Sequence, residues 1–116
     1  MKNKYSNRKI EYEGKKFDSR LEGRRYCQLR DMLAAGEIKN LVLQPRFELQ
    51  PPFKKGNKTY RNIEYVADFM YEDWKGNKIV EDVKGYSTDV FRLKQKIFEY
   101  QNPKLTLVLI KKERMK

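Results

Sequence analysis

Apolar residues recur along the chain with two spacings, and these spacings predict its secondary structure. Tyr26, Leu29 and Leu33 are separated by three and four positions, which is typical of one face of a helix. A helix is predicted to begin at residue 18 or 19, where Asp18 or Ser19 can cap it, and to end near Ala35 with Gly36 as its stop. A second helix is predicted over residues 88–101.

Strands are predicted where Ile, Val, Tyr and Phe cluster between turn residues. Residues 105–110 are an uninterrupted apolar run, which predicts a strand buried on both faces. Residues 51–62 contain Pro51, Pro52 and several lysines, and we interpret them as a loop. The remaining predicted strands cover residues 9–17 (as a small hairpin), 38–43, 46–50, 63–71 and 78–84.

This order of elements predicts an α/β fold with a single mixed β-sheet flanked by two helices. The connection from 78–84 through the second helix to 105–110 is long enough for a crossover, which would make those two strands parallel. Residues 1–7 are expected to form a disordered basic tail, and residues 8–116 a single domain. The chain shows no repeat and no low-complexity segment.

Two aspartates are predicted to face each other across a short hairpin. Residues 73–77 form a turn signal, and a turn symmetric about Lys75 places Asp68 directly opposite Asp82. Directly opposed residues have Cβ atoms about 4.5–5.5 Å apart, and like charges there are destabilising. A divalent cation is the simplest use for such a pair, because Mg²⁺ prefers oxygen ligands.

The alternation of side chains along a strand sorts the neighbours of Asp82. Asp82 and Lys84 share one face with Val80, while Glu81 lies on the other face with Ile79 and Val83. The competing interpretation is a solvated hairpin face that carries ordinary surface charges.

Composition narrows both the partner and the chemistry. The net charge of +11 over 116 residues favours a polyanion, with nucleic acid as the first candidate. The basic residues are scattered, no apolar run approaches the roughly 20 residues of a membrane span, and we see no signal peptide, so no membrane partner is expected. The chain has no histidine and only Cys27. Carboxylates with a hard metal are what remain for phosphodiester hydrolysis.

Glu22 offers a third carboxylate. It precedes Tyr26 by four positions, so it lies on the core-facing stripe of the first helix. Ser19 and Glu22 also form a capping box, in which the glutamate would only complete the helix start. The two interpretations are compatible, and both are kept open.

The chain resembles the PD-(D/E)xK nuclease superfamily, whose core order is αβββαβ, the restriction-endonuclease-like fold. The resemblance covers about residues 8–110 and rests on FDSRLE at 17–22, QP at 44–45, VADF at 66–69 and EDVKG at 81–85. These segments look like those of small phage-encoded endonucleases, grouped as a domain of unknown function. That group is related in pattern to Holliday-junction resolvases and to the endonuclease subunit of heteromeric transposases. One departure is Ala67, which stands before Asp68 where the superfamily motif has proline.

The resemblance implies a catalytic set and a cofactor. Its glutamate, aspartate and (D/E)-x-Lys motif correspond to Glu22, Asp68, Asp82 and Lys84. The three carboxylates and the backbone carbonyl of Val83 would hold Mg²⁺ or Mn²⁺, and Lys84 would orient water or stabilise charge on the phosphate.

The implied activity is metal-dependent hydrolysis of DNA by an endonuclease. Its more specific form is a phage enzyme that resolves branched DNA or Holliday junctions, acts in the cytoplasm of a bacterial host and works as a homodimer, because resolution needs two symmetric cuts. The alternatives are a non-catalytic basic module that binds nucleic acid and a structural protein. Pure binders gain nothing from concentrated negative charge, so the opposed carboxylates favour the nuclease.

Several basic residues are candidate DNA contacts. Lys94 lies on or beside the apolar face of the second helix, where it would reach a phosphate or extend to solvent. The segment 51–62 would bind phosphates or remain solvated, and the start of the first helix would line a groove. The candidates are Arg20, Arg24, Arg25, Lys54, Lys55, Lys58, Arg61 and Lys94.

Overall fold

The computed structural model describes residues 10–12, 14–17, 19–84 and 87–111, so the tail predicted at 1–7 lies outside it. The described elements form a mixed α/β fold. In chain order they are β1 (Ile10–Tyr12), β2 (Lys15–Phe17), α1 (Arg20–Ala34), β3 (Ile38–Leu43), β4 (Arg46–Gln50), β5 (Phe53–Lys55), β6 (Lys58–Tyr60), β7 (Ile63–Val66), β8 (Phe69–Asp73), β9 (Lys78–Val83), α2 (Asp89–Gln101) and β10 (Thr106–Ile110).

Both helices begin and end where their local signals predict. The Ser19 hydroxyl accepts the Glu22 N–H at 3.1 Å and caps α1, and Gly36 follows the helix with φ of +78°, a conformation that glycine adopts without strain. The Thr88 hydroxyl caps α2 in the same way by accepting the Phe91 N–H at 3.0 Å. No helix in the described part of the chain is long and apolar enough to cross a membrane.

A four-stranded mixed sheet with the order β10-β9-β8-β3 forms the centre of the molecule. The predicted parallel pairing of the two strands that flank the second helix is confirmed, since β10 runs parallel to β9. The full burial predicted for the last strand is wrong. β10 lies at the edge of the sheet, and only its Ile110 is buried while the rest is partly or fully exposed.

The two helices pack against opposite faces of this sheet. Phe69 and Tyr71 of β8 join a buried cluster with Tyr26 and Leu29 of α1. The opposite face carries Val80, which is buried, and Met70, which is partly buried. Both pack with Phe91 and Phe98 of α2. Each helix therefore covers one face, as a two-sided sheet requires.

A bend divides the strand that was predicted over residues 63–71. β7 ends at Val66 and β8 begins at Phe69, opposite the break between β3 and β4 at Gln44 and Pro45. The cross-strand bonds continue through the bend, with Gln44 N–H to the Asp68 carbonyl at 2.8 Å and Ala67 N–H to the Pro45 carbonyl at 3.1 Å. Pro45 has no N–H to donate, and Gln44 has φ of +51°. The β3–β4 segment and the β7–β8 segment therefore leave the regular pattern of strand hydrogen bonds at the same place.

The bend also exchanges the faces of the strand. Tyr65 and Ala67 pack in the cluster of α2, whereas Phe69 packs in the cluster of α1. An unbroken strand would place these alternate residues on one face. Residues before and after the bend therefore contribute to different cores.

The loop predicted over residues 51–62 is wrong. The segment contains a second small hairpin, β5 paired with β6, and every residue from 51 to 61 is exposed. Its turn is Gly56-Asn57, with Gly56 at φ of +61°.

Candidate active site

The register predicted around Lys75 is confirmed. Residues of β8 and β9 pair symmetrically about that turn, ending with Phe69 opposite Glu81, and Asp68 precedes Phe69 directly. The Asp68 N–H donates to the Glu81 carbonyl at 3.0 Å, and its side chain accepts the Val83 N–H at 2.7 Å. The Asp68 carboxylate is thus anchored beside Asp82, at the end of β9.

The environment of Asp68 opposes its ionisation. Burial first, then the negative charges of Asp82 and Glu22, raise the pKa of Asp68 to about 8, while the hydrogen bond from Val83 lowers it. Asp82 itself is 2% exposed. A cation among these carboxylates would remove the repulsion, so the electrostatics favour a positively charged ligand.

Lys84 supplies a positive charge on the same face. Its ammonium lies 3.5 Å from Asp82 Oδ1 and 4.2 Å from the centre of the Phe91 ring, a cation–π distance. Its backbone N–H donates to the Ile110 carbonyl at 3.0 Å. Strand pairing, the ring and the carboxylate together hold Lys84 beside the aspartates.

Tyr65 belongs to this group, and the sequence did not single it out. Its hydroxyl donates to Asp82 Oδ2 at 2.5 Å. Burial, and next this hydrogen bond, raise the pKa of Tyr65, so the phenol stays protonated and donates. The sequence offered one signal for this role, because a tyrosine buried in a core needs a hydrogen-bond partner for its hydroxyl. That the partner is Asp82 follows only from the bend at residues 67–68.

Both interpretations given for Glu22 remain open, and the structure bears on each through different atoms of the residue. Its backbone N–H completes the cap with Ser19. Its side chain is buried, at 5% exposure, and its charge contributes to the raised pKa of Asp68. It therefore approaches the aspartates from α1.

The fit to a metal ion is partial. Within residues 10–12, 14–17, 19–84 and 87–111, no three acidic or cysteine side chains are already arranged as a metal site. Asp68 and Asp82 are hard oxygen donors on adjacent strands, and Glu22 is close enough to influence the pKa of Asp68. The chemistry of Asp68 and Asp82 suits a divalent cation, and Glu22 would be a third oxygen donor near them.

Glu81 lies on the opposite face from Asp82, as strand alternation predicts. It is 1% exposed and accepts two hydrogen bonds from the Arg25 guanidinium, at 2.8 and 2.6 Å, and one from the Tyr71 hydroxyl. This ion pair joins α1 to β9. It also corrects the role given to Arg25, whose guanidinium is committed to Glu81 and to Gln28 and which we remove from the candidate DNA contacts.

The other basic candidates lie in three places. Arg20 and Arg24 are exposed at the start of α1, and Lys94 is half-buried on α2. Lys94 lines a shallow depression of about 250 Å³ together with Lys84 and Thr88, beside the aspartates. The third group is exposed on and beside the β5–β6 hairpin and consists of Lys54, Lys55, Lys58 and Arg61.

Comparison with known proteins gives a family without an activity. A family model described as "Protein of unknown function (DUF1064)" matches residues 2–116. No curated protein matches the chain.

Proposed function

Since the chain belongs to the DUF1064 family, whose description leaves the activity open, we propose its function from the site itself. The chain is a metal-dependent endonuclease that hydrolyses phosphodiester bonds of DNA, built on a restriction-endonuclease-like version of the αβββαβ core. Its site consists of Asp68, Asp82 and Lys84, with Glu22 approaching from α1.

One observation carries this proposal. Asp68 and Asp82 are held side by side, with Lys84 at 3.5 Å from Asp82, although burial and then the charges of Asp82 and Glu22 raise the pKa of Asp68 to about 8. A fold does not gain stability from such a pair. On a chain of net charge +11, the arrangement is explained by a bound cation and an anionic substrate.

The residues divide the chemistry among them. Asp68 and Asp82 would hold Mg²⁺ or Mn²⁺, with Glu22 and the Val83 carbonyl as further ligands. When bound, such a cation polarises a phosphoryl oxygen and lowers the pKa of water. Lys84 is placed to stabilise negative charge that develops on the phosphate.

Tyr65 and Phe91 position these groups. The Tyr65 hydroxyl fixes one oxygen of Asp82, which leaves the other oxygen, 3.5 Å from Lys84, facing the ammonium. The ring of Phe91 limits the directions in which Lys84 can extend.

A non-catalytic DNA-binding module is the other function to test. Carboxylates at the binding surface would only weaken its attraction to phosphates. The two functions differ in what happens when Asp82 is removed.

The test compares wild-type protein with Asp82→Ala and with Asp31→Ala, which removes an exposed carboxylate from α1. Substrates are linear duplex, single strand, flap, four-way junction and RNA, each with Mg²⁺, Mn²⁺ or chelator. We expect cleavage only with metal, complete loss in Asp82→Ala with DNA binding retained, and normal cleavage in Asp31→Ala. Wild-type turnover by clean Asp82→Ala protein would overturn the assignment, and binding without cleavage in every condition would favour the binding module.

A further inference from the structure

The β5–β6 hairpin has no role in the carboxylate site, yet it forms an exposed basic surface. β4 and β7 form a two-stranded ribbon, and β5 and β6 extend from its far end. The four strands together form one long hairpin. Its inner half, β4 and β7, packs against α2 through Leu49 and Tyr65. The outer half, residues 51–61, is exposed throughout. We call residues 51–61 the arm.

The charge of the arm has one sign. It carries four cations and no acid, and the next acid along the chain is Glu64. An exposed strand pair gains no stability from clustered like charges, which repel each other. A polyanion is the partner that such a surface complements. The four cations are Lys54, Lys55, Lys58 and Arg61.

The arm is stiffened by an aromatic pair at its base. Phe53 and Tyr60 are cross-strand partners, and their rings stack at 4.6 Å with an angle of 10°. Lys58 lies 4.9 Å from the centre of the Tyr60 ring. An isolated two-stranded hairpin is marginally stable, and aromatic cross-strand pairs stabilise it. The stack therefore holds the basic tip in a defined direction.

The length of the ribbon limits how far the tip lies from the carboxylates. Tyr65 is bonded to Asp82, and Lys58 precedes Tyr65 by seven positions. Seven extended residues span at most about 25 Å. At about 3.4 Å of helix axis per nucleotide of one strand, this distance corresponds to roughly seven nucleotides.

We propose that the arm binds the DNA backbone on one side of the scissile phosphate, within roughly seven nucleotides of it. The position relative to the cut rests on the proposed nuclease function, whereas DNA binding by the arm does not. The substrate is therefore DNA with a flank long enough to reach the arm, and a shorter flank loses the contact.

Two triple variants test the binding. Lys54, Lys55 and Lys58 are replaced with alanine in one. Lys75, Lys78 and Lys104, exposed at the opposite end of the sheet near the 73–77 turn, are replaced in the matched control. A third variant replaces the arm lysines with arginine and should restore binding. Affinity for duplex DNA is titrated against salt in chelator, so that no cleavage intervenes.

We expect the arm variant to lose about three units of the slope of log affinity against log salt, one per phosphate contact. The control variant, which loses the same charge, should change much less. Equal effects in the two variants would overturn the arm as a binding element. They would mean that affinity depends on the net charge of the protein and not on where the lysines lie.

Flank length tests the position of the arm. Two duplex series, each shortened from a different end, are used to map the cut and to measure affinity. Wild-type affinity should rise as one flank grows to roughly seven base pairs and then level off, while the arm variant should show no such step. A step on neither side overturns the proposed placement. Arm-dependent binding without cleavage would overturn the proposed nuclease function and support DNA binding by the arm. Cleavage that does not depend on the arm would support the nuclease function and overturn DNA binding by the arm.

Discussion

Asp68 is held in a position where the folded protein favours its protonated form. Its pKa of about 8 lies above its ordinary value of 3.8. Between these two values the folded state binds more protons than the unfolded chain, so this group lowers the free energy of unfolding as pH rises. Its stabilising contribution is complete below about pH 4 and is lost as pH rises through 8.

Asp68→Asn should therefore stabilise the metal-free protein at high pH and abolish cleavage. The amide oxygen can still accept the Val83 N–H, while the repulsion with Asp82 disappears. In chelator we expect the Tm of the variant to exceed that of wild type by several degrees at pH 8.5, since about 1 kcal/mol shifts Tm by roughly 4 °C, and the difference should vanish near pH 4.

The measurement is thermal unfolding across pH with and without Mg²⁺. Asp31→Asn, at an exposed site on α1, should show no such difference. A variant that melts below wild type at pH 8.5 would mean that the Asp68 carboxylate stabilises the fold and needs no cation.

Glu81 and Asp82 are adjacent, but they lie on opposite faces of β9 and bond to different partners, Arg25 and Tyr65 respectively. Glu81→Gln should lower stability by roughly 2 kcal/mol and leave cleavage per folded molecule nearly unchanged, because it weakens a buried pair whose arginine is partly exposed. Asp82→Asn should greatly reduce cleavage and cost little stability. Denaturant unfolding and single-turnover cleavage of both variants check this. A greater loss of cleavage in Glu81→Gln would mean that Glu81, and not Asp82, is the proposed metal ligand.

At the scale of elements, α1 provides both a cap and a carboxylate through Glu22. Glu22→Gln keeps the backbone N–H that Ser19 accepts and removes the charge near Asp68. We expect at least a tenfold fall in cleavage rate with little change in Tm. Ser19→Ala is the matched control and should cost about 1 kcal/mol with normal specific activity. A lowered Tm with normal cleavage in Glu22→Gln would return Glu22 to a purely structural role.

The predictions that proved correct depended on signals close together in the sequence. The Ser19 cap, the Gly36 stop and the turn about Lys75 are each fixed within a few residues. That turn alone sets the register that brings Asp68 to Asp82, so the central pair of the site could be found without a structure.

The predictions that failed depended on distant partners. Pro45 lies between the predicted strands 38–43 and 46–50, and the paired strand bends at the same place, where the Ala67 N–H donates to the Pro45 carbonyl. This bend brings Tyr65 to the face of Asp82. Arg25 pairs with Glu81, 56 positions away, and no local pattern shows this. The β5–β6 hairpin had a usable signal in Gly56-Asn57, which the neighbouring prolines and lysines obscured.

At the scale of the whole molecule, the count of 27 lysines and arginines overstates the number of cations available to DNA. Arg25 is committed to Glu81, and Arg46 and Arg92 pair with Glu64 and Asp89. The exposed lysines of the arm are the more effective part of the excess.

DNA affinity of the wild-type protein should therefore fall steeply with salt. If only three lysines contact phosphates, affinity should drop roughly fortyfold between 50 and 200 mM salt. Titration of duplex DNA in chelator measures this. An affinity independent of salt would mean that phosphate contacts do not drive binding.

The bond between the Lys84 N–H and the Ile110 carbonyl has a consequence for synthesis of the chain. Glu22, Asp68, Asp82 and Lys84 all leave the ribosome before β10, whose parallel pairing with β9 joins parts of the chain far apart in sequence and therefore forms slowly. The strand that fixes Lys84 is added last. A nascent chain, or one cut short before β10, would carry all four of these side chains and lack the strand that pairs with the Lys84 backbone. Under the proposed nuclease function, cleavage would then begin only after β10 has joined the sheet.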